Sequence, residues 1–199
     1  MHVNKPSDDK LKQLLHDELG YLPEGEGIDA MLQRGELQTF QAGDVVIEMD
    51  RYCPDVFIVR DGIVRFTDMD SMRERTFAFA LPGTIFMSKH SFVMHRPSYY
   101  SVEACCETQL LRISHSDFWD LVGKYHELAL YMLHYAYGEM FFQEHKNASV
   151  INGSARERYK KMLGDRPYII EKVPQRIIAS YLGITPEYFS KLKREYLKK

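Results

Sequence analysis

The spacing of apolar positions changes along the chain from helical to strand-like and back again. Leu11, Leu14, Leu15 and Leu19 recur at helical intervals behind Ser7 or Asp8 as a cap, and Gly20 stops that helix. Ile28, Met31 and Leu32 predict a second short helix over 27–34. Beyond Gly35 the pattern becomes short runs such as Val45-Val46-Ile47, 56–59 and 62–66, with further strands fitting 74–79, 100–104 and 108–113. Gln41 to Asp44, Arg60 to Gly62 and Leu81 to Gly83 punctuate them, each with a glycine where a turn needs one. About eight strands between Gln38 and Ser114 predict a small barrel or jelly roll.

The helical period then returns. Ser116 caps a short segment, and a long helix is predicted over 124–145. On it Leu128, Met132, Tyr135 and Phe142 form one stripe, while Leu130, Leu133, Tyr137 and Phe141 form a neighbouring one. One stripe suffices to pack on the roll, so the second is left for another chain. Residues 147–154, rich in Asn, Ser and Gly, read as a hinge, and Ser154 with Glu157 is a capping-box pattern opening the next helix, to about Leu163.

The C-terminal stretch from Gln175 to Arg194 is the most specific. Ile178, Leu182, Ile184, Phe189 and Leu192 place one apolar stripe on each of two short helices, Ala179 permits close approach, and Gly183 ends the first helix. Thr185 as N-cap, Pro186 at the first helical position and Glu187 in the first turn begin the second. This is a helix-turn-helix pattern.

Charge sharpens that reading. Residues 154–199 hold 12 Lys and Arg against 5 Asp and Glu, whereas residues 1–153 hold 14 against 23. A basic terminal segment on an acidic body points to a polyanion met only by that segment. With 45% hydrophobic and 27% charged residues the composition is that of an ordinary globular chain. There is no signal-peptide pattern and no apolar run long enough to span a bilayer, so a cytoplasmic location without membrane partners is expected. Cys53, Cys105 and Cys106 form neither a CxxC nor an even set, which argues against a disulfide framework, a structural zinc site or an iron–sulfur cluster. His90, His95 and His115 fall in the roll, but no His-x-His spacing of a metal-binding cupin occurs.

Roll, long helix and helix-turn-helix in this order resemble the Crp/Fnr superfamily of bacterial transcription regulators. The motifs that carry the resemblance are Phe40 to Asp44, Val59 to Arg65, Leu81 to Phe86, Ala155 to Tyr159 and Val173 to Glu187, the last two resembling the branch common in Bacteroidetes-type bacteria. It implies an α+β chain: a double-stranded β-helix sensor domain over 1–123, a dimerisation helix and hinge over 124–148, and a winged-helix-type helix-turn-helix domain over 149–199. It also implies a sequence-specific, non-enzymatic regulator that binds a palindromic operator in double-stranded DNA as a homodimer, with RNA polymerase as a further partner. The alternatives are a cupin-like metal-dependent enzyme and an effector-free interaction scaffold.

In cyclic-nucleotide-binding members a Gly-Glu pair and a following Arg hold the ribose and the cyclic phosphate. Here Gly83 remains, Thr84 stands at the Glu position, and Ser98, followed by Tyr99 and Tyr100, stands at the Arg position. Loss of a fixed guanidinium removes the bidentate contact a buried phosphate needs, which disfavours cyclic AMP and leaves open an unidentified small-molecule effector, neutral or a different anion, or no effector at all, with no other cofactor expected. The expected pocket is bordered by Gly83, Thr84, Ser98, Tyr99, Tyr100, Tyr131 and Tyr135. On the DNA side the resemblance places Pro186, Glu187 and Lys191 at the main base-contacting positions. Gln175, Thr185, Tyr188 and Ser190 are candidates for phosphate or base-edge contacts, and Arg176, Lys193 and Arg194 for electrostatic positioning.

Overall fold

The computed structural model describes residues 8–70, 73–152 and 154–197. Two N-terminal helices, α1 (Asp8–Leu19) and α2 (Gly27–Arg34), precede eight strands: β1 (Glu36–Phe40), β2 (Val45–Ile47), β3 (Val56–Asp61), β4 (Val64–Asp70), β5 (Arg73–Ala80), β6 (Ile85–Met87), β7 (Ser101–Ala104) and β8 (Thr108–Ile113). They form two four-stranded sheets, ordered β1-β8-β3-β6 and β2-β7-β4-β5, antiparallel throughout. Alternation puts Ile47, Phe57, Val59, Val64, Phe86, Val102 and Leu110 between the sheets, the core of a double-sheet roll. The turn from β3 to β4 requires Gly62. Its φ is +87°, and a Cβ there would lie 2.4 Å from Thr108 Oγ1.

A short helix that the strand-like pattern concealed, α3 (Lys89–Met94), interrupts the roll after β6. Ser88 caps it by accepting from Ser91 N, and His95 ends it in the left-handed conformation at φ +53°. Two helices follow the roll, α4 (His115–Lys124) and α5 (His126–Asn152). The second runs through most of the expected hinge at 147–154. Asn and Ser are weak helix formers rather than breakers, so the run of them does not stop a helix already propagating. Leu11, Leu15, Met31, Phe118, Leu128 and Tyr131 join α1, α2, α4 and α5 to the outer face of the first sheet.

The remaining chain is α6 (Ala155–Asp165), α7 (Pro167–Lys172), α8 (Gln175–Tyr181) and α9 (Pro186–Leu197). The expected capping box is formed: Ser154 Oγ accepts from Glu157 N while Glu157 Oε2 accepts from Ser154 N at 2.7 Å. The expected winged form is corrected. Among the described residues no strand follows β8, and α6 to α9 are joined by short links without a β-hairpin. Tyr159, Met162, Ile169, Ile178, Phe189 and Leu192 form the core of this helical unit. That core is continuous with the roll, since Ile63, Phe79 and Cys105 belong to the same cluster. No described helix is long and apolar enough to cross a membrane.

Candidate functional site

A cavity of about 480 Å³ lies between strands β4, β5 and β6 on one side and α5 on the other. Strand β5 supplies Phe77 and Phe79, β4 supplies Phe66 and β6 Phe86, while Tyr131 and Tyr135 close it from α5. The rings interlock. Phe66 lies 5.5 Å from Phe86 and 5.7 Å from Tyr100, and Phe77 lies 5.7 Å from Tyr100, all at the tilted or edge geometries that aromatic quadrupoles favour. Tyr100 OH donates to Met87 O at 2.7 Å, which fixes that ring against β6.

Of the seven expected pocket residues, Gly83, Thr84, Tyr100, Tyr131 and Tyr135 line this cavity. Ser98 and Tyr99 do not. Ser98 is buried, but its hydroxyl donates to Tyr100 O at 2.8 Å, so it closes a local turn before β7 and points at no ligand. Tyr99 is exposed and stacks on the His90 ring at 3.8 Å. Sequence spacing missed the contribution of α1, which brings Glu18 and Leu19 to the rim, and that of Arg166 from the junction of α6 and α7. No local motif announces those, because their neighbours are distant in sequence. Phe77 and Phe79 were visible as an alternating aromatic pair in a strand.

The turn at Gly83 and Thr84 is covered by α1. Gly83 has φ +94°, and a Cβ there would stand 2.4 Å from the backbone oxygen of Leu14. Thr84 Oγ1 donates to Glu18 Oε1 at 3.2 Å. The rim's charged groups are Glu18, Glu139, Lys89 and Arg166, of which Lys89 and Glu139 form an ion pair. Burial first, and then the Glu139 carboxylate, raise the Tyr100 and Tyr135 phenols; burial and Glu18 do the same for Tyr131.

The second candidate site is the exposed face of α8 and α9. The turn between them is a Schellman arrangement, with Ile184 N donating to Ala179 O and Gly183 N to Ser180 O, both at 3.0 Å, and Gly183 at φ +65°. Arg158 adds a bond of 2.8 Å to Leu182 O. Thr185 Oγ1 then caps α9 by accepting from Tyr188 N at 3.2 Å. Its own backbone N–H, and next the Thr185 hydroxyl, hold the Glu187 carboxyl below the usual carboxylate range.

Because Phe189 and Leu192 are buried, the opposite side of α9 is solvent-facing and carries Pro186, Glu187, Tyr188, Lys191 and Arg194. Thr185, Gln175 and Arg176 are exposed beside it, and Ser190 and Lys193 are half-buried at its edges. Ser190 is occupied within the helix, donating to Pro186 O at 2.9 Å and accepting at its carbonyl from Arg194 Nε. Elsewhere, α5 exposes an unpartnered apolar stripe at Leu130, Leu133, Tyr137, Met140 and Phe141, between 38 and 62% accessible. Among the described residues no group of three or more His, Cys, Asp or Glu is placed to hold a metal ion.

The strands that wall the cavity, β4 and β5 of one sheet and β6 of the other, fall within the segment for which sequence comparison finds a match. Residues 37–125 match the cyclic nucleotide-binding domain family. Solved structures extend the likeness across the chain. The FixK2 protein of Bradyrhizobium japonicum superposes with TM-score 0.67 at 19% identity, covering 82% of this chain and 85% of that one. The Catabolite Activator Protein of Thermus thermophilus gives 0.58 at 17%, covering 91% and 87%. The c-di-GMP responsive global regulator CLP of Xanthomonas campestris gives 0.65 at 12%, covering 88% and 92%. At such identities the likeness is one of fold. No curated protein matches the sequence. Within that match the cavity is lined mainly by aromatic rings; Thr84, at the position expected for the ribose-holding Glu, lines it, while Ser98, at the position expected for the phosphate-holding Arg, does not.

Proposed function

We propose that the protein is a homodimeric, sequence-specific DNA-binding regulator of the Crp/Fnr type, with the motifs at 155–159 and 173–187 placing it in the Bacteroidetes-type branch. The observation that carries this reading is the exposed side of α9, which presents Glu187, Lys191 and Arg194 one helical turn apart above a buried core. A helix held out in this way fits the major groove, where Lys191 donates to guanine and Glu187 accepts from a cytosine amino group. The apolar stripe of α5 is the dimer contact, and a two-fold pair sets two α9 helices against half-sites ~34 Å apart. Residues 1–123 act as sensor, 124–148 as coupling helix and 149–199 as output, in contact with RNA polymerase when bound.

Effector response has a physical route in this reading. Strand β5 lines the cavity with Phe77 and Phe79, and the same strand holds α8: Thr76 N donates to Ser180 Oγ at 3.0 Å, and Phe79 packs 5.0 Å from the Tyr181 ring. A ligand that moves Phe79 moves the base of α8. It shifts the equilibrium only as far as its affinity differs between the two arrangements.

The test is fluorescence anisotropy with duplex DNA over a range of salt. Affinity falls steeply with salt, and Lys191→Ala weakens the preferred duplex by ~1–3 kcal/mol. Equal affinity of wild type and Lys191→Ala for every duplex would refute the assignment of α9.

A further inference from the structure

We infer that the cavity selects a small amphipathic amine, a molecule with an aromatic or alkyl body and a cationic head, and discriminates against anions. The inference rests on the reading of this cavity as an effector site and gives that site its ligand chemistry. The body of such a ligand is set by the walls. Phe66, Phe77, Phe86 and Tyr100 line a volume of about 480 Å³, which suits a small ligand with an apolar body. The phenol of Tyr100 is already spent on Met87 O.

The head is set by the rim. Glu18 on α1 stands beside Thr84 at the cavity's rim, and its carboxylate accepts from that threonine's hydroxyl. The last turn of α1, ending at Leu19, brings the negative end of a helix dipole to the same place. Tyr131 and Tyr135 add ring faces, to which an ammonium is attracted and a phosphate is not. Two cations also line the cavity: Lys89 forms an ion pair with Glu139, so those two charges offset each other, and Arg166 comes from the junction of α6 and α7 rather than from the turn at Thr84 that Glu18 covers.

Calorimetric titration of the full chain with charge-matched pairs tests this. The pairs are 2-phenylethylamine with phenylacetate and tryptamine with indole-3-acetate, with cyclic AMP as the reference anion. The amines are expected to bind at least tenfold more tightly than their carboxylates, and Glu18→Gln is expected to erase that preference, since one charge-assisted contact is worth about tenfold or more. Glu18 is exposed on α1, so the variant is expected to fold, and an unchanged circular dichroism melt confirms it. Three results would each overturn the inference: carboxylates or cyclic AMP binding as tightly as the amines, no amine heat at millimolar concentration, or a preference that survives in Glu18→Gln. Duplex anisotropy on the same samples separates the two readings. Amine binding that leaves DNA affinity unchanged upholds the ligand class and removes the effector role.

Discussion

In the proposed reading the contact between β5 and α8 joins sensing to output, and Ser180→Ala isolates it. Thr76 lies in an edge strand, is 1% exposed and has its N–H directed to Ser180 Oγ. Removing the hydroxyl leaves that buried donor without its acceptor, a cost of ~1–3 kcal/mol. Alanine is the better helix former within α8 and returns about 0.5 kcal/mol. The net loss is therefore ~0.5–2.5 kcal/mol, concentrated at one amide. Hydrogen exchange read at single-residue resolution should show the Thr76 amide losing about tenfold in protection, with the amides of β3 and β8 unchanged. The melting temperature should fall by ~2–4 °C per kcal/mol lost. If Thr76 exchanges at the wild-type rate in the variant, α8 does not hold β5 and the proposed route from cavity to output fails.

Further outcomes follow from other features. The double variant Leu133→Glu with Tyr137→Glu places two charges in the exposed stripe of α5, and light scattering should report a monomer with an unchanged fold; a persisting dimer would move the interface elsewhere. Gly83→Ala must adopt φ +94° and meet the Leu14 backbone, so it should cost ~1–3 kcal/mol or more in chemical denaturation, and a neutral result would mean that α1 does not close the turn. Burial pushes the Cys105 thiol up to about 12, which leaves it protonated and slow to react with iodoacetamide at pH 8 in the folded chain. Because the folded value is raised, its contribution to stability is fully present below the unfolded thiol's value near ~8.5 and is lost as pH rises from there through about 12. Denaturation midpoints that do not decline over that alkaline range would contradict this.

Much of the fold was legible because it is written locally. The leucines of α1, the strand runs with their glycine turns, and the Gly183, Thr185 and Pro186 sequence each specify one element through short-range geometry. Two local readings failed for opposite reasons. Asn147 and its neighbours looked like a linker, yet composition does not break a long helix, while α3 was overlooked because a single turn capped by Ser88 carries no period. The cavity was half legible. Tyr131 and Tyr135 follow from helix spacing, but Glu18 and Arg166 reach the rim only through packing of α1 on Gly83 and of the C-terminal helices on the roll. Ser98 shows the limit of positional correspondence: its place in sequence is the expected one, and a local hydrogen bond to Tyr100 O turns it away.

The most direct test of the account is selection from a random duplex library with the full chain, followed by sequencing. The account predicts an inverted repeat with half-sites one helical turn apart, ~34 Å between centres, and altered preference at a single position of each half-site for Lys191→Ala. Enrichment of unrelated sequences, or of a single unrepeated site, would contradict a two-fold regulator reading DNA through α9.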